Sequence, residues 1–176
     1  MPDELLDIVS DEDIVIEHEM RSTIHQFGLQ HRGVHVFLFT RDRKMLVQKR
    51  SADRAASPSM LDCSVSEHVK AGESYLDAAK RGMKEEMGLD GIEFKPLVKF
   101  KMNYGINDNE ISTLYEGVVD PAAVEFDPVE IEQIAYYSID EIKGMMDEKS
   151  IFCGWFVQIM NWYFGLPTEL TVLKVS

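Results

Sequence analysis

The sequence predicts a single domain of the α/β class in its α+β form, a mixed β-sheet sandwiched between α-helices and spanning residues 1–176. Three observations predict it. Apolar β-rich runs come in pairs joined by short polar turns, as in "VHVFLFT" and "KMLVQKR" around "RDR". An amphipathic helix with marked ends runs between Ser74 and Gly88. Three further strand runs then precede two closing helices, an order that places a mixed sheet between helical layers. The 176 residues are 45% hydrophobic, enough for one real core, and no repeat, low-complexity tract or linker divides them.

Taken in order, "ELLDIVSDEDIVIEHEM" reads as two short strands around a Ser-Asp-Glu-Asp turn, and "MRSTIHQFG" as a helix ending at Gly28. The hairpin pair follows, then a turn-rich loop "SADRAASPSM" and a short strand "LDCSVS". In the next helix, Ser74 with Asp77 three residues on resembles a capping box, and Gly88 suits a left-handed C-cap. Leu76, Ala79, Met83 and Met87 share one face at helical spacing, which is expected to pack on the sheet and leave the other face for chemistry. "FKPLVKFKMNY", "EISTLYEGVV" and "EQIAYYS" read as strands. One closing helix is capped by Ser138 with Glu141, and the other runs from about Ile151 to Phe164.

Charge narrows the function classes. With 18 basic against 31 acidic side chains the net charge is −13, so no long-range field draws the chain to nucleic acid or to anionic lipid. A phosphate-bearing ligand has to be held locally, by a metal or by a few placed Arg and Lys. Cys63 and Cys153 are too few for a disulfide framework and suit a reducing cytosol. "MPDELLDIVSDED" has no apolar leader pattern, and the apolar run "IFCGWFVQIMNWYFGL" is short for a membrane span, so a cytoplasmic protein without a membrane partner is expected.

The stretch "HVKAGESYLDAAKRGMKEEMGLDG" carries the strongest chemical signal. Positions 82, 85 and 86 share one sector of a helix by the i, i+3, i+4 rule, so carboxylates there converge on a hard cation that prefers oxygen. Glu85 and Glu86 fill two of these positions, Glu73 lies just before the helix, and Gly82 breaks the set at a helix-propensity cost of about 1 kcal/mol. The spacing resembles the Nudix box, G-x5-E-x7-R-E-U-x-E-E-x-G-U with U aliphatic: Glu73, Arg81, Met83, Glu85, Glu86, Gly88 and Leu89 fall at matching positions. Two positions depart, Glu67 standing for the leading Gly and Gly82 for the first helix Glu. The resemblance implies the Nudix fold, a box over about residues 67–89, and Mg²⁺ or Mn²⁺ held by Glu73, Glu85 and Glu86 against a diphosphate.

A non-acidic residue at position 82 is similar to the type I isopentenyl-diphosphate isomerases, a branch of the same superfamily, and the resemblance runs from about residue 21 to 160. His25 and His31 match that family's paired histidines, His68 in "SEHVKAGES" the histidine of its Cys-Gly-His or Cys-Ser-His motif, and Asp108 and Glu110 in "DNE" its carboxylate pair. The resemblance implies one cation among these five, a borderline nitrogen and oxygen set for Mn²⁺ or Mg²⁺ to which Zn²⁺ is also suited. It implies diphosphate contacts for Arg21, Arg50 and Arg54, and active-site roles for Tyr104, Glu110 and Trp155, the Trp offering its π face to developing positive charge. The family's catalytic Cys is here Ser66, whose hydroxyl is far less acidic than a thiol. By strand alternation Cys63 lies on the face opposite Ser66 and reads as a small core residue.

Three readings follow: an isopentenyl-diphosphate isomerase or close relative, a Nudix hydrolase of another organic or nucleoside diphosphate, and a catalytically silent sensor that binds a diphosphate without turning it over. The expected partner in each is a small-molecule diphosphate, and the chain is a monomer or a homodimer.

Overall fold

In the computed structural model of the chain, residues 2–148 and 151–174 are described. The chain opens with an antiparallel hairpin of β1 (Leu5–Val9) and β2 (Val15–Met20), turned at the Ser-Asp-Glu-Asp segment, and enters α1 (Arg21–Phe27). Gly28 ends α1 in the left-handed region, at φ 66°. Strands β3 (His31–Phe39), β4 (Lys44–Arg50), β5 (Leu61–Asp62) and β6 (Val65–His68) lead to α2 (Tyr75–Met87). Then come β7 (Lys95–Asn103), β8 (Asn109–Val118), β9 (Ile131–Ser138), α3 (Ile139–Met145), α4 (Gly154–Tyr163) and β10 (Thr171–Lys174).

The main sheet has the order β10-β7-β8-β3-β4-β5, with β6 also pairing β3 and β9 pairing β4. β3 and β8 run parallel and the other pairs antiparallel, which makes the sheet mixed. The side chains of β3 alternate, Val34, Val36 and Leu38 packing with α2 while Phe37 and Phe39 pack with α3 and α4. Two cores thus lie on opposite faces of one sheet, between helical layers. Among the described residues no helix is long and apolar enough to cross a membrane.

The structure corrects several expectations. β3 and β4 are joined by a turn but meet only at Phe39 and Met45, because β6 takes the edge of β3 from Gly33 to Val36 and β9 takes that of β4. "LDCSVS" is two strands broken at Cys63, so alternation fails there. Cys63 and Val65 enter different cores, while Asp62 and Ser66 touch. The buried face of α2 is Ala78, Ala79, Gly82, Met83, Glu86 and Met87, with Leu76 37% exposed. That stripe is displaced from the expected one, and it carries Gly82 and Glu86 inward. The closing helix starts later than expected, at Gly154, and β10 has no counterpart among the expected strands. Both expected caps are present, Ser74 accepting from the Asp77 N–H and Ser138 forming a full box with Glu141.

Candidate functional site

Strand register decides which side chains meet. β6 pairs β3 with Gly33 opposite His68 and His35 opposite Ser66, and β8 pairs β3 with His31 opposite Glu110 and Gly33 opposite Ser112. Since directly opposed residues point to the same face, His31, His35, Ser66, His68, Glu110 and Ser112 all stand on one side of the sheet. Gly33 leaves the room: a Cβ there would overlap the Glu110 carboxylate and come within 2.9 Å of Ser112 Oγ.

His25 reaches the same place from α1. The turn at 104–109 is stitched to the end of that helix by Asn107 Nδ2 donating to the Gln26 carbonyl at 2.9 Å and Asn109 Nδ2 to the Gly28 carbonyl at 2.9 Å. This brings Asp108 Oδ1 to 3.7 Å from His25 Nδ1 and 3.8 Å from His31 Nε2. Ligand atoms of His25, His31 and His68 all lie within 4.8 Å of one another, as do those of His31, Asp108 and Glu110.

His31 Nδ1 donates to the Leu29 carbonyl at 3.0 Å, which leaves Nε2 as a bare lone pair. That atom and Asp108 Oδ1 are both buried without a hydrogen-bond partner, two acceptors facing each other. Burial, with the His25 charge adding to it, pushes the His31 imidazole down to about 4. Burial and then the His31, His25 and Arg21 charges push His68 well below the usual histidine range, so His31 and His68 present neutral imidazoles at neutral pH. Burial and the adjacent Asp108 push the Glu110 carboxyl up. A cation resolves every one of these tensions, and the His31 contact with a backbone carbonyl is the usual support for a metal-ligating ring. These residues fit a divalent cation.

Beside this cluster lies a buried polar chain. Asp62 Oδ1 accepts from the Cys63 N–H at 2.6 Å, Trp155 Nε1–H at 2.7 Å and the Ser66 hydroxyl at 3.0 Å, and Oδ2 accepts from Arg50 Nη1 at 3.0 Å. His35 Nδ1 lies 2.9 Å from Ser66 Oγ, and the Tyr104 hydroxyl 3.4 Å from His35 Nε2. Ser66, Tyr104 and Trp155 therefore do come together. Arg50 is engaged within the chain: it is buried, donates to Asp62 and to the Ala56 carbonyl, and lies 5.3 Å from the Trp155 ring centre, over its π face. Arg54 is ion-paired with Glu130, and Arg21 sits at the start of α1 near His68. Sequence reasoning missed His35 and Asp62. The alternation of "HRGVH" puts His35 on the His31 face, but its partners depend on the register of β3 against β6.

The Nudix helix faces the other side of β6. Arg81 holds two of the three box carboxylates, Nε donating to Glu73 at 2.8 Å and Nη1 to Glu85 at 3.3 Å, with Glu85 largely exposed. Glu86 is buried and accepts from Gln48 Nε2 at 2.8 Å. Burial pushes the Glu67 and Glu86 carboxyls up, and each is further raised by carboxylates near it. The glycine at 82 has a steric reason, because a Cβ there would stand 2.6 Å from Glu67 Cγ and 2.9 Å from Val65 Cγ1. The two departures from the box thus meet in space. Glu67 occupies the space that a side chain at 82 would need.

Comparison with known proteins fits this architecture. Residues 29–153 match the NUDIX domain family, and the chain belongs to that family. A protein of Streptomyces coelicolor named as an uncharacterized Nudix hydrolase, SCO1686, is 33% identical over 156 residues, covering 83% of this chain and 81% of the relative. The isopentenyl-diphosphate delta-isomerases of Pectobacterium atrosepticum and Serratia proteamaculans are 31% identical over 136 residues and 29% over 169, covering 75% and 90% of this chain and the same shares of each relative. The crystal structure of DR0079 from Deinococcus radiodurans superimposes with a TM-score of 0.79 at 23% identity, over 90% of this chain and 98% of that one, so the two share the Nudix fold.

Proposed function

We propose that this chain is a divalent-metal-dependent enzyme acting on an organic diphosphate, of the isomerase kind that converts isopentenyl diphosphate to dimethylallyl diphosphate. The observation that carries the reading is the facing pair of orphaned acceptors, His31 Nε2 and Asp108 Oδ1, inside the convergence of His25, His31, His68 and Glu110. Those five residues would hold Mg²⁺ or Mn²⁺, and Zn²⁺ also suits so imidazole-rich a set. Bound there, the cation supplies positive charge that neutralises diphosphate oxygens.

The chain's own residues do the rest. Arg21, on the edge of the histidine cluster, offers a planar donor fork to the diphosphate. Tyr104 lies between His35 and the Glu110–Ser112 side of the site, where a hydroxyl can hand a proton to a neighbouring group. Cys63 is wholly buried in the core, and burial pushes its thiol up, so it does not replace the missing cysteine at 66.

Incubation with isopentenyl diphosphate and Mg²⁺ or Mn²⁺ in D₂O tests the reading. Deuterium is expected in dimethylallyl diphosphate, and intact unexchanged substrate would overturn it. A second reading, hydrolysis of another diphosphate, is favoured by one observation: Glu67 stands beside Glu86 where the box lacks its helix carboxylate. Release of phosphate or of a monophosphate from a diphosphate panel would establish that reading instead.

A further inference from the structure

The chain Asp62–Ser66–His35–Tyr104 has only one self-consistent arrangement of its protons. A carboxylate that accepts four hydrogen bonds, one of them from a buried arginine, has none to give, so the Ser66 hydroxyl donates to Asp62. Its single proton is then used, and Ser66 Oγ can only accept from His35 Nδ1–H. A neutral imidazole with Nδ1 protonated has a bare lone pair at Nε2, and the one group beside it is the Tyr104 hydroxyl. Ser66 is therefore occupied as a spacer between an anion and an imidazole.

We propose that His35 is the proton-accepting partner of Tyr104, held in the Nδ1–H tautomer by Ser66 and Asp62, so that the site moves its proton through an imidazole where the related isomerases use a thiol. The proposal deepens the isomerase reading and rests on it for the substrate. A proton from solvent water adds to the terminal carbon of the substrate double bond, whose π pair forms that C–H bond and leaves the neighbouring carbon electron-poor. A C–H bond on the far side of that carbon then breaks, its proton goes to the Tyr104 oxygen, and the Tyr104 O–H proton passes to His35 Nε2, from which it returns to solvent. The electron pair stays with the substrate as the new double bond. The imidazolium, one hydroxyl away from the Asp62 carboxylate, holds the extra proton until that return. His35 acts through Tyr104 and is a positioning residue in that sense.

The test begins with the full chain labelled with ¹⁵N-histidine, in which long-range ¹H–¹⁵N correlations read the two ring nitrogens separately. The expected pattern for His35 is a protonated Nδ1 and a bare Nε2, with Ser66→Ala shifting the ring toward the other tautomer. A proton on Nε2 in the unsubstituted chain, or a pattern that Ser66→Ala leaves unchanged, would sink the proposal. In the deuterium-exchange assay His35→Gln is expected to lower kcat about 100-fold or more with KM little changed, the low end of what general acid–base groups contribute. A His35→Gln enzyme with undiminished kcat overturns the role. If the unsubstituted chain leaves isopentenyl diphosphate untouched, the isomerase reading and with it the proton-transfer role fall, while the tautomer spectra still decide the arrangement of the chain. Ser66→Ala, a smaller change in volume, keeps that arm readable if His35→Gln folds poorly.

Discussion

A buried imidazole changes stability with pH in a way that a single substitution isolates. His35 is almost wholly buried, and burial pushes its imidazole down to about 4, with the Asp62 charge opposing. Between that value and the unfolded value of about 6.5, the unfolded chain binds a proton there that the folded chain does not. Stability from this group is therefore fully present above about pH 6.5 and is lost as pH falls toward 4. On going from pH 7 to pH 4, the parent chain should lose up to ~3 kcal/mol more unfolding free energy than His35→Gln, since each tenfold difference in proton affinity between the folded and unfolded chain is worth about 1.4 kcal/mol. Denaturant melts at the two pH values check it, and a constant difference between the two proteins would refute the buried neutral ring. Ser66, Tyr104 and Trp155 were singled out through the resemblance to the isomerases, and the structure brings the three side chains together. His35 and Asp62 were not, because their meaning lies in contacts across 31 and 93 positions of chain, to Ser66 and to Trp155.

At the scale of elements, the packing of α2 on β6 turns two departures from a motif into one exchange. Glu67 projects from β6 toward the helix, and Gly82 is the position on α2 that accommodates it. Restoring either half alone should fail. Gly82→Glu forces a side chain into Glu67 and Val65, an overpacking that typically costs about 1–3 kcal/mol or more. Glu67→Gly leaves a gap and a strand glycine, at roughly 1 kcal/mol for the glycine alone. The double substitution Glu67→Gly with Gly82→Glu rebuilds the full box spacing and should be more stable than the sum of the singles by about 0.5–3 kcal/mol, the range seen for residues in contact. Additive thermal melts would refute the exchange. The helix caps, Gly28 and Gly88 were legible because capping is local chemistry. The turn of α2 about its axis was not, since Leu76 reads as apolar wherever it points, and its exposure follows from the Ala78, Gly82 and Glu86 edge seating against the sheet.

For the whole molecule, the histidine cluster is an assembly of distant pieces. His25 comes from α1, His31 from β3, His68 from β6, and Asp108 and Glu110 from the turn and strand that follow β7. A cation held by all of them binds the folded chain and not the unfolded one, so it raises thermal stability by mass action. At 100 times the dissociation constant the gain is about 2.7 kcal/mol, which for a chain of this size is roughly 5–10 °C in Tm. Mn²⁺ should produce such a shift, and His31→Gln, which keeps a donor for the Leu29 carbonyl but loses the bare ring nitrogen, should abolish most of it. The net charge of −13 supplies its own control. Diffuse attraction of cations to an acidic surface is screened by salt and indifferent to one buried ring, so an equal shift in His31→Gln, or one that disappears in ~0.15 M salt, would assign the effect to surface charge instead of to the cluster.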